Sequence, residues 1–100
     1  MRFDIVTLFP EICESSLCVS IMGRARKSEL VEINTVDLRK YSHDRRGTVD
    51  DTPYGGGCGM VLRPEPLFEC VEDIADEDAH VVLMTPQGRR FTQEDAVRLS

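Results

Sequence analysis

One hundred residues, 41% of them hydrophobic, suffice for one compact domain but are few for an enzyme that must hold both a cofactor and a large substrate. A formal charge of −6 argues against a domain that grips nucleic acid by bulk electrostatics, since phosphate binding draws on Lys and Arg. No apolar run approaches the roughly 20 residues needed to cross a bilayer, and Asp4 stands where a secretory signal is apolar, so the expected setting is soluble and cytoplasmic.

Phe3 to Phe9, with β-branched Ile5, Val6 and Thr7, predicts a first strand buried on both faces. Pro10 then opens a helix, because its missing N–H would be unpaired in a first turn anyway, and Glu11 complements the positive helix end. From Ser20 to Lys27 the pattern weakens, and Gly23 reads as a turn before a basic stretch. Val31, Ile33, Val36 and Leu38 predict a second strand within Leu30 to Leu38. Residues 39–52 are polar and charged and read as a mobile loop. Pro64 to Ile74 predicts a helix with Leu67, Phe68, Cys70, Val71 and Ile74 facing inward. His80 to Thr85 is continuously apolar at Val81–Met84 and reads as a third strand, ended by Pro86. Thr92 caps a last helix, with Asp95 three residues on in an approximate capping box. Strands alternating with helices place the chain in the α/β class, with a parallel sheet and flanking helices.

Charge is unevenly spread: residues 23–46 carry seven bases and four acids, whereas residues 63–100 carry four bases and nine acids. The four cysteines, at 13, 18, 58 and 70, form no Cys-x-x-Cys unit, and neither histidine lies at finger-like spacing from them, so free thiols are expected, with neither zinc nor a structural disulfide.

Three segments offer chemistry. Tyr54 to Gly59 packs four glycines into six residues, which are costly to order by about 1 kcal/mol each and let backbone approach a flat ligand closely. It is neither a phosphate-cradling P-loop nor a dinucleotide fingerprint, because Met60 and Val61 follow Gly59. Leu83-Met84-Thr85-Pro86-Gln87-Gly88 is a strand end running into a tight turn, the position at which open α/β sheets hold ligands; the same turn is often only structural. His43 to Asp51 offers a titrating imidazole, phosphate-pairing Arg45 and Arg46, and Asp50 or Asp51 for a cation such as Mg2+, with a plain surface loop as the alternative.

Taken in order, Leu8-Phe9-Pro10-Glu11, Gly23-Arg24-Ala25, His43-Asp44-Arg45, Thr48-Val49-Asp50-Asp51, Pro53-Tyr54-Gly55-Gly56-Gly57, Gly59-Met60 and Pro86-Gln87-Gly88 resemble the tRNA (guanine-N1)-methyltransferase family called TrmD, of the trefoil-knotted SPOUT methyltransferases. The resemblance spans nearly the whole chain. It implies transfer of the methyl group of S-adenosyl-L-methionine to N1 of the guanosine just 3′ of the anticodon in tRNA, by a homodimer whose site lies between subunits. Carried over residue by residue, Leu83, Met84, Thr85, Pro86, Gln87 and Gly88 would border the cofactor. Tyr54, Gly55, Gly56, Gly57, Gly59 and Met60, with Arg24, His43, Arg45 and Asp50, would meet the substrate. Thr85 stands where many relatives have serine, and Cys58 occupies a variable position.

The family's knot, its general base and its carboxyl-terminal tRNA-binding domain would lie beyond Ser100, so residues 1–100 read as the amino-terminal part of the methyltransferase domain, inactive alone and without a catalytic residue of their own. Two other classes stay open: a noncatalytic RNA- or nucleotide-binding module using Arg24, Arg26, Lys27, Arg45 and Arg46, and a structural α/β domain with neither ligand.

Overall fold

The computed structural model describes residues 1–100. Strand β1 (Arg2–Thr7) lies parallel to β2 (Glu32–Asp37) in a register that runs from Arg2 opposite Glu32 to Thr7 opposite Asp37. Parallel neighbours need a crossover, which here is a pair of helices, α1 (Pro10–Leu17) and α2 (Ser20–Lys27). Pro10 sits in the first turn of α1 as expected. A 3-10 turn (Leu38–Tyr41) follows β2, begun by the Asp37 carboxylate accepting from the Arg39 N–H at 2.9 Å. Two short strands, β3 (Asp50–Asp51) and β4 (Val61–Leu62), pair antiparallel, and α3 (Pro64–Ile74) and α4 (Gln93–Leu99) complete the chain. No helix is long and apolar enough to cross a membrane.

The core is small. Leu38, Val49 and Cys70 are fully enclosed, with Val6, Leu8, Val36, Tyr41, Leu67 and Ile74 packed around them. It therefore sits where the ends of β1 and β2 meet α3. Val49 is the unexpected member: it pins the carboxyl-terminal part of residues 39–52, which the composition reads as mobile, and its carbonyl accepts from the Arg63 N–H at 2.7 Å.

Four expectations are corrected. Ser20 to Lys27 is a helix, and Gly23 lies buried inside it rather than at a turn. A Cβ on Gly23 would stand 2.3 Å from the Cys18 carbonyl oxygen, so the glycine serves close packing of α2 on the end of α1. The helix ends in a Schellman motif: Leu30 N–H donates to Ala25 O and Glu29 N–H to Arg26 O, with Glu29 left-handed at φ 56°. Second, β1 is not buried on both faces, since its sheet has two strands and Phe3 stays 45% exposed. Third, Phe68 points outward from α3 at 67% exposure, while Pro66 and Cys70 take the buried face.

Fourth, His80 to Thr85 forms no strand. Val81–Met84 make no backbone hydrogen bond, and all four side chains are more than half exposed. A strand exists only through its neighbour, and apolar composition alone does not supply one. Residues 76–94 are exposed throughout, and the radius of gyration, 15.7 Å, exceeds the roughly 13 Å of a compact chain of this length.

Candidate functional site

The His43 loop and the base of the glycine hairpin meet at the amino end of α3. The glycine-rich segment is the tip of the β3–β4 hairpin, and β3 and β4 hold its base, with Asp50 opposite Leu62. Gly56 N–H donates to Pro53 O at 3.1 Å, and Gly55, Gly56, Gly57 and Gly59 all have φ between 77° and 116°, a region that side chains resist. A Cβ at any of these four would meet nothing within 4 Å, so conformation, and not crowding, requires glycine here. Tyr54 is 96% exposed beside them. The hairpin tip thus presents bare backbone to solvent.

At the hairpin's base a cleft of about 290 Å³ is lined by Ser42, His43, Asp44, Thr48, Arg63, Glu65 and Pro66. Its loop wall is closed by its own side chains. Ser42 Oγ donates to Thr48 O at 2.8 Å, and Thr48 N–H donates to Asp44 Oδ1 at 2.9 Å. Thr48, through its hydroxyl and its N–H, holds the Asp44 carboxyl down at about 2. His43 Nε2 lies 2.7 Å from Glu69 Oε1 of α3, and that hydrogen bond raises the imidazole above its ordinary 6.5. Tyr41 donates to Asp73 at 2.6 Å, which pushes the phenol up to about 12 and forms a second tie between this loop and α3.

Of the predicted substrate residues, His43, Asp50 and the base of the hairpin are thereby brought to one region. Arg45 lies exposed in the same loop without a hydrogen bond or ion pair. Arg24 is exposed on α2, whose neighbouring Arg26 is engaged: it donates to Glu14 Oε2 at 3.2 Å and to Ile33 O at 3.3 Å. Glu14 also accepts from Thr35 at 2.9 Å, and Thr35 first, then Arg26, lower its carboxyl. Arg63, Glu65 and Glu69 were not singled out in the sequence. Only the placement of α3's first turn against residues 42–48 reveals them.

No hydrogen bond links Leu83–Gly88 to Tyr54–Met60. The predicted turn is present, with Gly88 N–H donating to Thr85 O at 3.1 Å and Gln87 N–H to Thr85 Oγ1 at 3.3 Å. Unpaired main-chain groups of Val81–Met84 and the exposed Gln87 amide give this stretch donors and acceptors of the kind an adenine edge needs. The residues therefore fit one wall of an adenosyl site. Mg2+ fits less well. Asp50 and Asp51 are neighbours on one strand and project to opposite sides, and no three His, Cys, Asp or Glu side chains cluster as metal ligands.

The family description tRNA (Guanine-1)-methyltransferase TrmD matches residues 1–100. The chain belongs to that family. Among curated tRNA (guanine-N(1)-)-methyltransferases it is 48% identical to that of Desulforamulus reducens over 104 residues, 51% to that of Thermobifida fusca over 104 and 46% to that of Bacillus subtilis over 103. Each alignment covers 100% of this chain but 41%, 39% and 42% of the relative, so this TrmD chain spans about two fifths of their length. The crystal structure of tRNA (m1G37) methyltransferase from Aquifex aeolicus superposes with a TM-score of 0.66 at 41% identity, over 74% of this chain and 35% of that one. The mixed α/β fold with a parallel sheet and flanking helices is that of TrmD.

Proposed function

We propose that this chain supplies two walls of a site that methylates guanine N1 in tRNA, at the position 3′ of the anticodon. The observation that carries the reading is the family match over the full hundred residues, joined to two exposed backbone elements whose chemistry suits the two ligands. Leu83, Met84, Thr85, Pro86, Gln87 and Gly88 border the adenosyl group, and Tyr54, Gly55, Gly56, Gly57, Gly59 and Met60 lie against the extruded base. S-adenosyl-L-methionine, when bound, supplies an electrophilic methyl group on sulfonium.

N1 lies on the pairing edge of guanine, so the base must leave its stack to be reached. A bare glycine backbone admits a planar ring closely and offers N–H groups to its edge. Arg24 and Arg45 are the cations offered to phosphate, His43 adds an imidazole tied to Glu69, and Asp50 stands at the hairpin base. Guanine N1 holds its proton at neutral pH, so the reaction needs a general base; none is assigned among these residues, whose part is to bind and orient. Asp50 and Asp51, on opposite sides of one strand, do not converge on a common Mg2+ position.

The working unit is a cytoplasmic homodimer, joined in part by α1, where Phe9 and Ile12 are 56% and 65% exposed. Within residues 39–52 the exposed tip at Arg45 and Arg46 is the part that shifts on RNA binding, Tyr41, His43 and Val49 holding the rest to the core and to α3, and the chain is the amino-terminal part of its methyltransferase domain. A noncatalytic RNA-binding module is less well supported, because Arg26, one of its five cations, is held by Glu14.

The test uses the complete gene product, labelled S-adenosyl-L-methionine, and tRNA transcripts with guanosine or adenosine 3′ of the anticodon. The expected result is 1-methylguanosine from the first transcript only, with Gln87→Ala raising KM for the methyl donor and Gly56→Val raising KM for tRNA. Methyl transfer to another atom, or none, would sink the proposal.

A further inference from the structure

Asp95 is an anomaly in its surroundings. Residues 76–94 are all exposed, yet this carboxylate, next in the chain, is only 5% exposed. It does more than cap a helix. Oδ2 accepts from the Thr92 N–H at 2.9 Å, which is one half of the capping box of α4, and also from Thr92 Oγ1 at 3.1 Å. Arg89 meets both carboxylate oxygens at once, Nη1 on Oδ2 at 2.7 Å and Nη2 on Oδ1, and Arg98 adds a longer contact to Oδ1 at 3.4 Å. A fork of this kind fixes direction as well as distance.

Arg89 directly follows the Thr85–Gly88 turn. Within residues 80–91 every other hydrogen bond is internal, so the Arg89 side chain is the one polar tie between this stretch and the remaining chain. We propose that Asp95 is a positioning residue: through Arg89 it sets the exit of the Pro86–Gln87–Gly88 turn relative to α4, and so the direction in which the Gln87 amide and the free main-chain groups face. A turn with no packed neighbours would otherwise sample many orientations, and each ligand would bear the cost of ordering it. The inference rests on the cofactor reading of that turn given above.

The experiment again uses the complete gene product, without and with S-adenosyl-L-methionine. Variants Asp95→Asn, Arg89→Ala and Arg89→Lys are compared with Thr92→Ala, which removes the hydroxyl contact to Asp95 and part of the helix cap but keeps both groups of the Arg89–Asp95 fork. Amide exchange at Gln87 and Gly88 is followed together with the Kd of the methyl donor and KM for tRNA. Asp95→Asn and Arg89→Ala are expected to speed exchange at the turn and to weaken donor binding by about tenfold, the scale of a lost supporting contact, with KM for tRNA unchanged. Arg89→Lys, which keeps the charge, should recover part of that loss. Thr92→Ala should lower the melting temperature without changing donor affinity. Wild-type donor affinity in both Asp95→Asn and Arg89→Ala would overturn the positioning role. If donor protects Gln87 and Gly88 in no variant, wild type included, it is the cofactor reading of the turn that fails.

Discussion

Replacing Gly23 by alanine sets two physical effects of opposite sign against each other. Alanine is better than glycine inside a helix by about 1 kcal/mol, and part of that gain comes from a less flexible unfolded chain. The new Cβ, however, would stand 2.3 Å from the Cys18 carbonyl oxygen and 2.7 Å from its carbon. Ordinary contact begins near 3.4 Å, so the two groups must separate by about 1 Å, and the obstacle is backbone that cannot rotate aside. Overpacking of this kind costs about 3 kcal/mol, the upper end of the usual range. The net expectation is a loss of about 2 kcal/mol, or a urea midpoint lower by about 1 M at unchanged slope. Equilibrium unfolding followed by far-ultraviolet circular dichroism measures this directly. A midpoint for Gly23→Ala at or above that of the parent would refute the steric argument and return Gly23 to the status of an ordinary helix-weakening residue.

Glu29 holds a left-handed φ at the end of α2, a conformation that costs a side-chain-bearing residue about 1 kcal/mol relative to glycine. Glu29→Gly should therefore raise the urea midpoint, and a lower midpoint would show that the Glu29 side chain supports the motif instead. His43 should titrate above 6.5 in NMR spectra, and Glu69→Gln should bring it back toward that value. Because its folded-state pKa is raised, the pair contributes fully below 6.5 and is lost as pH rises through the raised value; superimposable titration curves for the two proteins would show that the contact is absent in solution.

The local order of this chain is largely written in local chemistry. Pro10 and Pro64 open helices because of what proline lacks, Thr92 and Asp95 make the cap that their spacing announces, and the β-branched runs at Ile5–Thr7 and Ile33–Val36 do pair. What could not be read is whatever depends on a distant neighbour. Gly23 looks like a turn until the Cys18 carbonyl is placed beside it, and Val81–Met84 look like a strand although no edge receives them. Val49, one apolar residue among polar ones, gives no sign that it will be enclosed by Leu38 and Cys70. The candidate site divides in the same way. The glycine tip and the Pro86–Gly88 turn are visible as composition, whereas Arg63, Glu65 and Glu69 join His43 only because α3 begins beside the 42–48 loop.

The bare ribbon from Val81 to Met84 also governs how this polypeptide behaves at high concentration. Four consecutive apolar side chains on unpaired backbone are a template onto which the same ribbon of another molecule can add, edge to edge. Where two ribbons add parallel and in register, Asp76, Glu77 and Asp78 of one molecule face those of the next and oppose the stacking. That opposition is electrostatic and is screened as ionic strength rises, so light scattering in added salt is expected to show more association than in dilute salt.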